Sequence, residues 1–212
     1  MINIITEKLP ESVQVCGNIY PIAYGFKESV QIEIIMFSDI SDEEKLIRSL
    51  DIFYLNNIPA DINKAMEQLL WFYNCGKMPR KEEEQKKKGP KPKKQQKRAY
   101  CFEADAGRIY AAFRSQYNIN LNQIESEDLH WWEFMAMFES LSEDLLISRI
   151  MFYRTADLSG MGNNQKAFIK RMRKLYAIKH DTSNLDARAK LAKRNKDMKD
   201  YVRKRMEECR KG

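Results

Sequence analysis

The chain has 212 residues, with 37 Lys and Arg against 30 Asp and Glu, a formal net charge of +7. Eight glycines and six prolines are few for that length, which argues against collagen-like, propeller and loop-rich all-β architectures and for helices around one core or two small ones. No apolar run approaches the roughly 18 residues of a membrane span, Glu7 and Lys8 stand where a signal peptide would carry its apolar block, and four scattered cysteines with no CxxC beside two histidines predict reduced thiols in a cytosol and no zinc site.

In chain order, Val13 and Val15 alternate with polar neighbours, Gly17-Asn18 offers turn residues, and Ile19 to Ile22 returns. That is a small β-hairpin, and Pro21, lacking an N–H, places the second strand at an edge. From Phe26 the period lengthens, and Val30, Ile34 and Phe37 define a helical face. Ser41 to Glu44 has the form of a capping box, opening a helix with Leu46, Ile47, Leu50, Phe53 and Tyr54 on one broad side. Pro59-Ala60-Asp61 opens another, lined by Ile62, Ala65, Met66, Leu69, Leu70 and Phe72 or Tyr73, with Gly76 at the C-cap.

Residues 80–98 then hold ten basic and three acidic residues. Gly89-Pro90 and Pro92 exclude a continuous helix, and without large apolar side chains the stretch cannot offset its ordering entropy. It is predicted to be a flexible basic linker or long loop. Its cations Lys86, Lys87, Lys88, Lys91, Lys93, Lys94, Lys97 and Arg98 suit nucleic acid, an acidic protein surface (this chain's own included) or simple solvation.

Helical pattern resumes with Ile109, Tyr110, Phe113 and Tyr117. After a short connection, Leu129, Trp131, Trp132, Phe134, Met135, Met137, Phe138 and Leu141 make a helix apolar nearly all round. Such a helix is central in a core or partly exposed to a partner. Trp131 and Trp132 project about 100° apart, so either both are buried or one anchors a partner. Base stacking is a third reading, which the acidic surroundings disfavour. Leu129, Trp131, Trp132, Phe134 and Phe138 are the candidate partner-binding set. Ser142-Glu143-Asp144 is expected to cap the next helix, with Leu145, Leu146, Ile150, Phe152 and Tyr153, which Gly160 to Asn164 breaks. Phe168, Ile169, Met172, Leu175 and Tyr176 form another amphipathic face, and Leu185 to Arg210 carries a thin apolar stripe. Residues 163–212 hold 17 basic and six acidic residues.

The expected architecture is mainly α: a multi-helix chain with a small N-terminal β-hairpin and a long basic loop between two helical halves. It divides into 1–78 (hairpin plus helices), 79–99 (linker), 100–180 (helical core with the Leu-His-Trp-Trp segment) and 181–212 (basic C-terminal helix).

Catalytic constellations are missing from the pattern. No P-loop, GxGxxG, GxSxG or HExxH occurs. Glu43-Glu44 belongs to a helix N-terminus, and Glu82-Glu83-Glu84 sits in the basic stretch. His130 has no partner nucleophile or ligand in view. No catalytic residue, cofactor or metal is expected.

Several strings nevertheless resemble a known family. Tyr100-Cys101-Phe102-Glu103-Ala104-Asp105-Ala106, Ile109-Tyr110-Ala111-Ala112-Phe113, Leu129-His130-Trp131-Trp132-Glu133-Phe134 and Tyr153-Arg154 are similar to the core of the bacteriophage gene-product-fifteen family. So are Leu9-Pro10, Gly17, Tyr20-Pro21-Ile22, Leu70 to Lys77 and Arg171 to Ile178. The resemblance covers roughly residues 9–178 and implies a setting: tailed phages and prophages of Gram-positive bacteria, in the gene slot of tail-assembly chaperones. It implies a non-enzymatic protein in the host cytoplasm that binds the tape-measure protein, is displaced as tail-tube subunits polymerise, and is absent from the mature virion. Contact with the tail-tube protein and homo-oligomer formation are further implied partners. The alternatives are a structural tail component and a nucleic-acid binder using the basic linker and tail.

Overall fold

The computed structural model describes residues 2–77 and 98–178. They contain two strands, β1 (Ser12–Val15) and β2 (Asn18–Pro21), and seven helices: α1 (Phe26–Phe37), α2 (Asp42–Phe53), α3 (Ile62–Tyr73), α4 (Ala106–Tyr117), α5 (Trp131–Glu139), α6 (Leu146–Thr155) and α7 (Asn163–Leu175). The mainly helical architecture with an N-terminal hairpin matches the expectation. The readings that fall on 79–97 and 181–212 lie outside the described residues.

The hairpin pairs Ser12 with Pro21, Val13 with Tyr20, Gln14 with Ile19 and Val15 with Asn18. Its turn is Cys16-Gly17, one residue earlier than predicted, because φ is 50° at Cys16 and 86° at Gly17. Positive φ at both central residues is what a two-residue hairpin turn of the I′ kind requires. The alternation holds on β1, where Val13 and Val15 are buried.

α1 turns a different face inward from the one its apolar spacing marks. Phe26, Ser29, Ile32 and Glu33 are buried, whereas Val30 and Ile34 are half-buried and Phe37 is exposed. Counting apolar residues misses this face because two of its members are polar. Ser41 does cap α2, its hydroxyl accepting the Glu44 N–H at 3.2 Å. The reciprocal half of the box is not made: Glu44 turns to Arg48 at 2.6 Å. The inward side of α2 is also narrower than predicted, with Leu50, Phe53 and Tyr54 buried and Ile47 56% exposed. Asp61 caps α3 by accepting the Lys64 N–H at 3.0 Å, and Ala65, Leu69 and Phe72 face the core. Past α3 the chain turns through Cys75 (φ 53°) and Gly76 (φ 73°), and the Gly76 N–H closes onto the Trp71 carbonyl at 2.9 Å, a Schellman-type ending.

In the second half, α6 starts at Leu146 with Leu145 at its N-cap and no side-chain cap, so Ser142 does not open it. The Ser142 N–H is instead taken by the Gln116 side chain at 2.8 Å. Both halves feed one core: Val13, Ile32, Leu50, Phe53 and Phe72 pack in the same cluster as Ile109, Phe113, Trp131, Phe134 and Ile147. A smaller cluster of Tyr153, Ala156 and Ile169 joins α6 to α7.

Candidate functional site

α5 supplies Trp131, Trp132, Phe134 and Phe138 to the described core, and its N-terminus explains the Leu-His-Trp-Trp string. His130 is the N-cap. Its Nδ1 accepts the Trp132 N–H at 3.0 Å, and Glu133 reaches back to accept the His130 N–H at 3.1 Å. With Nδ1 an acceptor, the ring is the neutral Nε2–H tautomer, and Nε2–H donates to the Pro10 carbonyl at 3.1 Å. The ring stacks on Tyr24 at 5.7 Å. Burial holds its pKa below the ordinary value of 6.5. His130 is therefore a capping residue that ties the N-terminal segment to α5.

The adjacent tryptophans end α3. The Trp131 indole N–H donates to the Tyr73 carbonyl at 3.0 Å, and the Trp132 indole N–H donates to the Phe72 carbonyl at 2.8 Å. Carbonyls in the last turn of a helix lack the usual intrahelical donors; the Trp131 indole serves Tyr73, and the Trp132 indole joins the Cys75 N–H that Phe72 accepts at 3.0 Å. Trp132 also lies against Gly76, where an added Cβ would stand 3.0 Å from the ring. Phe134 continues the stack onto Phe113 at 4.9 Å and Phe26 at 5.3 Å.

A two-bond bridge fixes the entry to α5 against the entry to α1. The Phe26 N–H donates to the Leu129 carbonyl at 3.1 Å and the Trp131 N–H to the Tyr24 carbonyl at 2.9 Å. Gly25 sits in this bridge with φ −68°, so conformation does not require glycine there. Space does: a Cβ would meet Ser126 Oγ at 2.1 Å and its carbonyl oxygen at 2.6 Å.

Two buried charge clusters complete the interior. Asp105 is fully enclosed and accepts from Arg154 (2.5 and 3.0 Å), Arg108 (3.0 Å) and the Cys101 N–H (3.0 Å). Arg154 also donates to the Ala99 carbonyl at 3.0 Å and the Tyr176 carbonyl at 2.8 Å, so one guanidinium joins residues 99–105, α6 and the end of α7. In the second cluster Glu33 receives the Tyr73 hydroxyl and Arg98 Nη2, the latter at 3.1 Å. Arg98 also lies over the Phe37 ring at 3.4 Å. Desolvation raises the Glu33 pKa, opposed by the Tyr73 and Arg98 hydrogen bonds, and burial raises that of Tyr73.

The predicted partner-binding residues can now be placed. Leu129, Trp131, Trp132, Phe134 and Phe138 are all buried, Trp131 completely. None offers surface to a partner in this conformation, and both tryptophans are core. Of the basic set, Arg98 is turned inward onto Glu33 and Phe37, while Lys86, Lys87, Lys88, Lys91, Lys93, Lys94 and Lys97 lie outside the described residues. Exposed apolar side chains stand elsewhere: Phe152 and Leu146 on α6, Phe168 and Leu175 on α7.

Sequence reasoning passed over the Asp105–Arg154 pair and the Glu33 cluster as structure. A signal existed, since Arg154 follows Ile150 by four residues and so shares its buried face. Among the described residues no helix is long and apolar enough to cross a membrane, and no group of three or more His, Cys, Asp or Glu could hold a metal ion. Cys16, Cys75 and Cys101 are free thiols, and burial pushes that of Cys75 up to about 11.

No curated protein matches the chain, and no solved structure does. The family model described as bacteriophage Gp15 protein matches residues 5–178. That span holds every described helix, the His130 cap, the paired tryptophans and both buried charge clusters. The chain belongs to the bacteriophage Gp15 protein family.

Proposed function

We propose that this chain is a tail-assembly chaperone that binds the tape-measure protein in the host cytoplasm and keeps it soluble until the tail tube polymerises. The observation that carries the reading is membership of the bacteriophage Gp15 family across residues 5–178, which points to a structural or assembly role. The residue chemistry supports a binding protein over an enzyme. His130 is consumed by capping α5, Asp105 by Arg154, and Glu33 by Tyr73 and Arg98. A protein that holds an amphipathic client needs apolar side chains at helix surfaces, and α6 and α7 present them.

The test is co-expression of the full chain with the tape-measure protein of the same phage, followed by pull-down and size-exclusion chromatography. The expected result is a soluble complex, with the tape measure insoluble when expressed alone. No association, with nucleic acid co-purifying and released steeply by salt, would replace the chaperone with a nucleic-acid binder. Mass spectrometry of purified virions should find the chain absent or strongly depleted. Stoichiometric retention would make it a structural tail component.

A further inference from the structure

Two stripes on different helices have matching spacing and opposite charge. On α2, Ile47 is 56% exposed, and Leu55, just past the helix end, is 54% exposed. Asp51 lies between them in sequence, four residues from each. On α7, Phe168 is 49% exposed and Leu175 66%. The exposed Arg171 follows Phe168 by three residues and precedes Leu175 by four, a spacing that puts all three on one side of the helix. Each set covers about two helical turns, roughly 10–12 Å. One runs apolar, acid, apolar and the other apolar, base, apolar.

Neither central charge is used inside the fold. The ion pairs of α2 are Lys45 with Asp42 and Arg48 with Glu44, and among the described residues no cation pairs with Asp51 and no carboxylate with Arg171. α7 contains no Asp or Glu, and Lys170 and Lys174 are exposed beside Arg171. Both helices are anchored by their other sides. α2 buries Leu50, Phe53 and the adjoining Tyr54. α7 buries Ile169, and its Arg173 donates to the Tyr153 and Ala156 carbonyls at 3.0 and 2.8 Å. α2 packs on α1 and α3, and α7 packs on α6.

Leu55 gives an independent sign of use. Its φ of 52° lies in the region that favours glycine. Its side chain stands largely in solvent, so it costs the backbone and returns little packing. Backbone strain of that kind marks positions with a role beyond the fold.

These features select the occupant. An anionic membrane would suit α7 alone, but it would repel Asp51 and leave Leu55 without a use. An acidic protein segment would also leave α2 unanswered. A second copy of this chain answers both stripes, since each presents the charge that the other lacks.

We propose that α2 of one copy packs on α7 of another, with Ile47 and Leu55 against Phe168 and Leu175, and Asp51 against Arg171. The two charges are central in their stripes, so they meet whichever way the helices run. One helix on one helix is a small interface, and the association is weak and concentration-dependent. Leu146 and Phe152 of α6 take no part. The contact involves no client, so it stands or falls separately from the chaperone reading.

The test is sedimentation equilibrium of the full chain over a wide range of concentration, with thermal melts to check that each variant folds. Wild type should gain mass with concentration, less so at high salt. Asp51→Lys and Arg171→Glu should each weaken association about thirtyfold, and Asp51→Lys/Arg171→Glu in one chain should restore it. Arg171 is exposed, so Arg171→Glu carries the test if Asp51→Lys fails to fold. Leu55→Gly should weaken association about tenfold while the fold becomes more stable, a combination that a packing role inside the subunit would not give. A single-copy mass at every concentration would overturn the contact. So would association that the folded reversals retain, or a folded double reversal that stays monomeric. Binding of wild type to phosphatidylglycerol vesicles, lost in Arg171→Glu and kept in Asp51→Lys with no gain of mass in solution, would make α7 a membrane face instead.

Discussion

His130 shows how a single side chain can link pH to stability. Its pKa in the folded protein lies below 6.5, so the unfolded chain binds the proton first. The stabilisation is therefore complete above about pH 6.5 and is lost as pH falls through the lower folded value. Protonation puts a hydrogen on Nδ1, where the Trp132 N–H must donate. Urea melts at pH 7.5 and 5.5 should show wild type weakening across that interval. His130→Asn, which keeps a capping oxygen but does not titrate, should flatten the dependence. Arg154 carries a larger expectation. Arg154→Met leaves Asp105 enclosed with Arg108 as its remaining cation, and a cost of about 3 kcal/mol is expected in the same melts. Sequence reasoning found no catalytic partner for His130, and the structure gives the residue to the cap of α5. Sequence reasoning did not supply the Asp105–Arg154 pair: the spacing from Ile150 marks Arg154 as inward, but the contact spans 49 positions and nothing local names its acid.

Helix by helix, the sequence shows where elements lie better than which side they bury. Starts with a serine or aspartate at the right offset were legible, as Ser41 and Asp61 show. Ser142 misled because its N–H is satisfied from α4 by Gln116, a partner 26 residues away. The inward face of α1 was misplaced because Ser29 and Glu33 occupy it. Ile47, Phe168 and Leu175, members of apolar faces by spacing, are left exposed. The tryptophan pair had three readings (core, partner anchor and base stacking), and the structure puts both rings in the core as caps for α3. Trp132→Phe removes the indole donor and keeps most of the ring. It should cost about 1 kcal/mol, because the Phe72 carbonyl loses the indole but keeps the Cys75 N–H. Trp131→Ala should cost roughly 3–5 kcal/mol through its cavity. The ending of α2 offers the opposite sign. Leu55 and Asn56 have φ of 52° and 63°, a left-handed turn that a branched side chain resists. Leu55 is exposed, so Leu55→Gly should raise the melting midpoint, by about 1 kcal/mol in stability. At the bridge between the entries to α1 and α5, Gly25→Ala should lower stability by about 1–3 kcal/mol through overlap with Ser126.

At the scale of the molecule, the described parts of the two halves behave as one body because the core is drawn from both. Separately expressed fragments 1–88 and 89–212 should each be unfolded by circular dichroism, and co-expression should return a folded pair. Independent folding of either fragment would show that the shared core is dispensable. The overall class was legible from scarce glycine and proline and from helical periodicity. The sharing was not, because a basic stretch between two patterned blocks looks the same whether or not the blocks meet. The α3 carbonyls and the α5 indoles that cap them have a consequence for synthesis. Phe72 and Tyr73 leave the ribosome more than fifty residues ahead of Trp131 and Trp132. At about 5–20 residues per second, the end of α3 waits roughly 3–12 s for its donors. Through that interval the nascent N-terminal half has neither the ring that fills its core nor the indole donors that the last carbonyls of its third helix receive in the finished fold. A protein proposed to shelter an unfinished client is itself, for those seconds, an unfinished chain.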